Sequence, residues 1–391
     1  MKTNSSRREF LAVGLSLPVA GMASLAGLGG QLETSGSRLS PGSSPALSYR
    51  MLGRTGLKVT IVGFGCMITS DASVIERAVD LGINYFDTAR GYQRGNNERM
   101  VGAALKHKRK DIVLSSKSLA PDKQAALNGL DTSLRELGTD YLDIWCLHDK
   151  DKPGAVTDDL IAAQQIAKEQ GKIRFAGVST HSGQSELLPW MVKKGVFDVV
   201  LTSYNFTMDK GMDALIEAAS QAGMGVVAMK VMTGGFRRAK PTDPLRPKLK
   251  QDGTMLAALK WVLNNPNVHT TIPGMTDMDQ LEENLQAMAE PYTPADEKLL
   301  ARQLESISPL YCRMCGKCEG SCARGLPVAD ILRYLTYAEG YGQFALGREK
   351  FQELRSEVTE VRCSQCPVCT VTCGFGVRVA DRLTRAQELF A

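Results

Sequence analysis

From about residue 58 to residue 288, short apolar runs alternate with longer stretches whose apolar residues recur every three or four positions. The runs occupy residues 59–64, 83–86, 112–115, 141–147, 173–178, 197–201, 225–229 and 269–272. Stretches such as 123–137, 158–169, 212–222 and 256–263 lie between them and read as helices with one face on a core. Gly82, Gly138, Gly171, Gly195 and Gly223 stand where helices hand over to the next run, as expected of a residue that takes the left-handed conformation cheaply. Strands alternating with helices predict a parallel sheet, and eight such units in about 240 residues predict a closed (β/α)8 TIM barrel. No G-x-G-x-x-G turn follows an early strand, and Gly63-Phe64-Gly65 alone is too little for a dinucleotide-binding doubly wound sheet.

Past residue 294 the pattern changes. A helical stretch runs to about residue 306, two cysteine-rich runs follow, and residues 328–354 between them read as mostly helix. At the other end, residues 11–31 are uncharged and rich in Ala, Leu and Gly, and residues 33–48 are rich in Ser, Gly and Pro. The chain divides accordingly into a leader (1–32), a flexible linker (33–48), the barrel (49–293) and a mainly helical C-terminal module (294–391).

Length and charge bound the function loosely. The 391 residues carry a formal charge of +5, with no basic stripe interleaved with aromatics, which argues against a nucleic-acid partner. The cysteines say more. Eight of the 10 fall into two copies of C-x2-C-x2-C-x3-C: Cys312, Cys315, Cys318 and Cys322, then Cys363, Cys366, Cys369 and Cys373. This is the run with which bacterial-type ferredoxins hold [4Fe–4S] clusters, the fourth thiolate reaching the same or the neighbouring cluster. Zinc has no need of a third cysteine at the same short step, and disulfide frameworks belong to small secreted domains. Ferredoxin runs place proline after the fourth cysteine; here Ala323 and Gly374 follow. The expectation is two [4Fe–4S] clusters in a mainly helical domain.

Ser6-Arg7-Arg8-Glu9-Phe10-Leu11 ahead of the apolar leader fits a twin-arginine export signal. Export of a folded chain suits clusters that must be inserted first. Ser24-Leu25-Ala26 offers a peptidase site, and an uncleaved leader is long enough to anchor the chain. The expected partner is the twin-arginine translocase, and the expected location is periplasmic or membrane-anchored.

A barrel of this type carries its chemistry at the C-terminal ends of its strands. Four polar residues fall there: Asp87 after the second run, Tyr92 five residues on, Lys117 after the third and His148 after the fourth. Together with the stretches FDTARGYQRGNNERMVGAAL, IVLSSK, DIWCLHD, IRFAGVS and TIPGM…LEENL, they resemble the aldo-keto reductase family over about residues 49–290. The whole chain resembles the branch of that family with a C-terminal iron–sulfur extension.

The resemblance implies an oxidoreductase that interconverts a small carbonyl and an alcohol with a nicotinamide nucleotide. A tyrosine with pKa near 10 exchanges protons slowly at neutral pH, and a neighbouring lysine cation favours the phenolate. By analogy Tyr92 is the acid/base, Lys117 its tuner, Asp87 the counter-charge of the lysine, and His148 the group that orients the substrate oxygen. The cofactor positions the resemblance implies are Gly65, Cys66 and Met67 beside the nicotinamide and Ser179, Tyr204 and Asn205 as its grip; Lys230 at the end of the seventh strand and the backbone at Gly234 and Gly274 are expected toward the phosphates. Cys66 and Cys146 otherwise read as small buried hydrophobes. Thr180 and Leu201 replace polar residues common in the family. The loop from Gly274 to Gln280 holds two carboxylates and no cation, which favours NADH over NADPH. Arg237 and Arg238 belong to a long loop placed to cover the site. Hydride and single-electron carriers need a splitter, and no flavin motif is visible; a redox partner protein is expected. The rival reading is an idle barrel serving as an electron-transfer subunit.

Overall fold

The chain enters through an antiparallel hairpin, β1 (Tyr49–Met51) and β2 (Lys58–Thr60), paired from Tyr49↔Thr60 to Met51↔Lys58. Eight parallel strands follow: β3 (Phe64–Gly65), β4 (Tyr85–Asp87), β5 (Val113–Ser118), β6 (Leu142–Leu147), β7 (Ile173–Thr180), β8 (Val199–Ser203), β9 (Gly225–Met229) and β10 (Thr270–Thr271). They pair in chain order, and bridges Val62↔Thr271 and Gly65↔Gly274 join last to first, closing the predicted (β/α)8 barrel. The computed structural model describes residues 46–235 and 253–391. The leader, the linker up to residue 45 and the loop with Arg237 and Arg238 lie outside the described residues.

Helices α1 (Ala72–Asp80), α2 (Asn96–Leu105), α3 (Lys123–Leu137), α4 (Asp158–Glu169), α5 (Gln184–Lys194), α6 (Lys210–Gln221), α7 (Thr254–Leu263) and α8 (Met278–Gln286) flank the strands. Their ends follow local chemistry. The Asp122 carboxylate accepts from the Ala125 amide and the Thr157 hydroxyl from the Leu160 amide, satisfying donors that the first turn leaves open. Gly138 (φ 64°) and Gly195 (φ 69°) stop α3 and α5 in the left-handed conformation.

Two expectations change. The apolar run at 59–64 is not one strand: its first half closes the hairpin, and only Phe64–Gly65 joins the barrel. Both pieces are apolar because Val59 packs into the barrel floor while Phe64 packs under the helices. The linker also ends early, since Leu47 packs on the core and the Ser48 hydroxyl donates to the Met288 carbonyl at 3.0 Å.

Side chains alternate along each strand. Tyr85, Val113, Ile144, Cys146, Val199, Leu201, Val227 and Met229 fill the barrel interior, while Phe86, Leu114, Trp145 and Val200 face the helices. Leu201 is therefore an interior packing residue. Fully burying each such side chain contributes about 1.5–3 kcal/mol.

The extension is mainly helical, as its sequence predicts. α9 (Pro294–Ile307) opens on a capping box between Thr293 and Asp296. It is followed by α10 (Val328–Glu339), α11 (Phe344–Gln352), α12 (Ser356–Thr359) and α13 (Val379–Phe390). The expected stretch at 328–354 breaks at Gly340, where a Cβ would lie 2.1 Å from the Gly234 carbonyl oxygen, and at Gly342, with φ 72°. Each cysteine run leads into a helix that begins Val-Ala-Asp, at Val328 and at Val379. The two helices share a core with Phe351 and Phe390. Residues 44–391 form one compact unit, so the extension sits on the barrel. Among the described residues no helix is long and apolar enough to cross a membrane.

Candidate active site and cysteine cradle

β4 and β5 set the centre of the site. Inward alternation puts Tyr85 and Asp87 on one strand beside Val113, Ser115 and Lys117 on the next, with Asp87 opposite Ser115. Lys117 Nζ donates to Asp87 Oδ2 at 2.5 Å and to the Thr88 carbonyl at 2.8 Å; the Ser115 hydroxyl donates to Asp87 Oδ1 at 3.0 Å. Both charged side chains are about 1% exposed, a depth at which charges persist only when paired. Burial works to lower the Lys117 pKa, but Asp87 and Tyr92 outweigh it and hold the amine protonated.

Tyr92 stands over this pair, its ring centroid 5.0 Å from Lys117 Nζ. Its loop is fixed from both sides. The Thr88 hydroxyl donates to Asn97 Oδ1 (2.6 Å), Asn97 Nδ2 donates to the Cys66 carbonyl (2.8 Å), and Gln93 Nε2 donates to the Thr69 carbonyl (2.7 Å). Arg90 pairs with buried Glu98, which also accepts from the Ser116 hydroxyl. Burial pushes the Tyr92 phenol up to about 12, and the pull of Lys117 in the other direction is outweighed. The expected depression by lysine is thus present but loses to desolvation, and the site holds a neutral phenol. His148 meets Tyr92 edge-on, with centroids 6.0 Å apart and planes at 81°. Burial and then Lys117 bring its pKa down to about 3, so the imidazole is neutral.

A cavity of about 910 Å³ opens above Asp87 and Tyr92. Of the positions assigned to a cofactor, Gly65, Met67, Lys230 and Gly274 line it. The others face elsewhere. Cys66 is fully buried among the barrel's outer core. The Ser179 hydroxyl accepts from the Asp149 amide at 3.0 Å. Tyr204 packs at a 41° tilt against Trp261, centroids 4.9 Å apart, and its hydroxyl donates to Asp213. Asn205 Nδ2 donates to the Lys230 carbonyl (3.1 Å) and the Tyr311 hydroxyl (3.3 Å). The Gly234 carbonyl abuts Gly340, leaving Gly235 on the wall. His181 lines the cavity, and His148 meets the edge of the Tyr92 ring beside it.

The extension forms much of the remaining wall, through Ala338 to Gly342 and through Arg382. It docks by an ion pair between Arg333 and Asp149 (3.0 Å) and by Arg94 with Glu349 (3.0 Å). Burial works against the Asp149 charge, yet His181 and Arg333 hold its carboxyl well below the usual range. Lys230, at φ 57°, lies 5.1 Å over the Tyr337 ring, and burial followed by Arg333 lowers its amine to about 7. Reading the sequence did not find Asp149, His181 or Arg333 as site residues: Arg333 sits in an ordinary helical stretch, and only the docked fold brings it to the strand ends.

All ten cysteines are free thiols. In the extension the two runs interlock. The Thr370 hydroxyl, next to Cys369, donates to the Ser321 carbonyl (2.7 Å) and accepts from the Ala323 amide (3.1 Å), so it brackets Cys322. Cys322, Cys363, Cys366 and Cys369 wall one cavity of about 140 Å³. On the other side burial raises the Cys312 thiol to about 12, with Cys318, Cys315 and Cys373 adding to the rise. Amide N–H groups of Met314 and Phe375 point at the sulfurs of Cys312 and Cys373, each at 3.4 Å. The fourth cysteine of each run therefore sides with the first three of the other, the ligand exchange found in two-cluster ferredoxins. Among the described residues no three His, Cys, Asp or Glu side chains converge as around a single ion. Two sets of four thiols are, in kind and number, the donors that a cubane takes.

A closed parallel barrel with a buried Asp–Lys pair beneath a tyrosine at its strand ends defines a carbonyl–alcohol oxidoreductase of the barrel class. Comparison with known proteins places it. The model of the aldo/keto reductase family matches residues 69–304, more than half of the chain. This chain belongs to that family and is an oxidoreductase of the aldo-keto reductase type. The uncharacterized oxidoreductase YqkF of Bacillus subtilis is 28% identical over 306 residues, spanning 67% of this chain and 97% of the relative. L-galactose dehydrogenase of Arabidopsis thaliana is 27% identical, spanning 62% and 89%. The holo form of an aldo-keto reductase from Bacillus halodurans superposes with a TM-score of 0.56 at 28% identity, covering 66% of this chain and 96% of that one.

Proposed function

We propose that this protein is an exported iron–sulfur aldo-keto reductase. It interconverts a small carbonyl and its alcohol, uses a nicotinamide nucleotide, and exchanges electrons with a redox partner protein through two [4Fe–4S] clusters. The observation that carries the reading is Tyr92 above the buried Lys117–Asp87 pair, at the floor of a cavity whose wall is completed by the cysteine-bearing extension. When bound, the nucleotide supplies hydride and the cubanes store single electrons.

The rest falls to the chain. Tyr92, a neutral phenol at rest, donates its proton to the carbonyl oxygen as negative charge develops there. Lys117 stabilises the phenolate left behind, and Asp87 keeps that lysine charged. His148, neutral and edge-on, holds the Tyr92 ring without competing for its proton. His181 presents a second neutral imidazole to the cavity, suited to a hydrogen bond with the substrate. Cys312, Cys315, Cys318 and Cys373 hold one cluster; Cys363, Cys366, Cys369 and Cys322 hold the other. The twin-arginine leader exports the folded, loaded chain to the periplasm or leaves it membrane-anchored.

Anaerobic purification tests the cofactors: extracted nucleotide, iron and sulfide are measured on one sample. Tyr92→Phe then tests the chemistry. Carbonyl turnover should fall by about 100- to 10,000-fold while the cluster absorbance stays unchanged. Turnover surviving that change would sink the mechanism.

A further inference from the structure

The two cysteine cradles differ in what surrounds them. The first abuts the barrel: Tyr311, the residue before Cys312, accepts from Asn205 Nδ2 at 3.3 Å, and the same amide donates to the carbonyl of Lys230 on the wall of the large cavity. The second is walled by residues of the extension alone, Ala323, Arg324, Pro367, Val368 and Thr370 among them, and all five are exposed. Val368, between Cys366 and Cys369, is 75% exposed, the highest value of any large apolar side chain among the described residues. Arg324 makes no ion pair with any described residue. The charge here is one-sided. Residues 320–329 and 361–380 contain Arg324, Arg362 and Arg378 and no Asp or Glu. Glu319, Asp330, Glu360 and Asp381 bound these stretches; of them Glu319 accepts from the Ala329 amide at 3.2 Å and Asp330 from Arg333 at 2.7 Å.

A protein that exchanges single electrons must approach a cluster from solvent, and redox encounters use small interfaces. In such an interface an exposed apolar tip supplies the contact, and unpaired charge at the rim steers the approach and selects the partner's sign. We infer that the rim of the second cradle, with Val368 at its tip and Arg324 on the same wall, is the docking surface of an acidic one-electron carrier protein. The inference rests on the clusters and the redox partner proposed above and deepens that reading, adding which cradle the partner meets and what charge it carries. The step moves one electron between carrier and cluster, one oxidised as the other is reduced, and no bond forms or breaks.

The test is titration of the anaerobically purified chain with two labelled probes, an acidic ferredoxin and a basic cytochrome c, followed by fluorescence anisotropy without turnover. The ferredoxin should bind about tenfold tighter than the cytochrome, and its affinity should fall as salt rises. Arg324→Glu and Val368→Asp should each weaken the ferredoxin about tenfold, and Arg324→Lys should keep most of the affinity. Lys108→Glu makes the same charge change at an exposed position between α2 and β5 and should bind as the parent does. Equal affinity for both probes, or equal weakening by Arg324→Glu and Lys108→Glu, overturns the surface. So does a shifted cluster potential in Arg324→Glu with binding unchanged, which would make Arg324 a counter-charge to the cluster. Iron and sulfide are measured on every sample, and if Arg324→Glu loses iron, Val368→Asp decides. Absence of iron and sulfide from the parent refutes the clusters; failed binding with both clusters present refutes the docking surface alone.

Discussion

The barrel centre and the cysteine cradle are both built for charge, but by opposite means. Asp87 and Lys117 sit on neighbouring strands in fixed register, with Ser115 and the Thr88 carbonyl completing their bonds. The sheet places them whether or not anything is bound. The eight extension thiols hang on loops and one 3-10 turn, with Met314 (φ 55°), Gly316 (φ 75°) and Gly320 (φ 74°) in the left-handed region and Cys315 and Cys369 exposed. A few cross-run bonds at Thr370 draw them together. A sheet can preorganise a charge pair; a cradle of loops is ordered less by its own backbone.

The sharpest way to break this contrast is to remove one partner of the barrel pair. Lys117→Met strands the Asp87 carboxylate in an apolar interior, and unfolding free energy should fall by about 3–5 kcal/mol. Adding Asp87→Asn should restore most of that loss without restoring turnover. Denaturant unfolding of the two variants checks it; a loss below about 1 kcal/mol in the single variant would mean that the pair behaves like a surface bridge.

The cradle should respond to its own substitutions and leave the barrel alone. If the fourth cysteines cross over, Cys315→Ser and Cys373→Ser damage the same cluster. Iron content in each should fall to about half, and the double variant should fall no further. Cys315→Ser combined with Cys322→Ser should lose both clusters. The reverse pattern would return each fourth cysteine to its own run.

The two regions meet closely where Gly340 lies against the Gly234 carbonyl. Gly340→Ala puts a methyl group 2.1 Å from that oxygen, and overpacking of this kind costs about 1–3 kcal/mol. Protease susceptibility of the extension should rise while the Lys117–Asp87 pair keeps its geometry. An unchanged cleavage rate and melting temperature would show that the β9 loop can give way.

What was readable in advance follows the same divide. Strand–helix alternation reported the barrel because each strand buries one face inside and one outside, and helix bounds such as Lys123–Leu137 and Asp158–Glu169 match the periodicity. Asp87, Tyr92 and Lys117 were legible because strand ends are chemical positions in this fold. For Tyr204 and Ser179, family position says which strand a residue is on, not which neighbour claims its hydroxyl. Tyr204 is taken by Asp213, and Ser179 by the backbone after His148. Arg333, Arg382 and the break at Gly340 were invisible because they matter only after the extension docks, and no local pattern encodes a contact between segments so far apart in the chain.

The smallest effect concerns pH, and it separates the regions because all four histidines, His107, His148, His181 and His269, precede the cysteine extension. His148 has its pKa lowered from the ordinary value near 6.5 to about 3 by burial. Above the ordinary value both folded and unfolded states are neutral, and the folded state keeps its full stability. As pH falls from about 6.5 toward 3, the unfolded chain takes up a proton that the folded site refuses, so stability is lost across that window. A fully buried imidazole would give a slope approaching about 1.4 kcal/mol per pH unit; His148 is half-buried, so solvent screening leaves less. His181 is shifted in the same direction. Asp149, held below the carboxylate range, loses its contribution only as pH drops under about 4. Between pH 6.5 and 4 the histidines lose stability while buried carboxylates with raised pKa, such as Asp87 and Glu98, work the other way, and His148→Gln should flatten the histidine part of the dependence of unfolding free energy on pH relative to the parent chain. A slope unchanged by that substitution would mean that water reaches the imidazole and that the wall behind Tyr92 is wetter than its packing against Tyr92 implies.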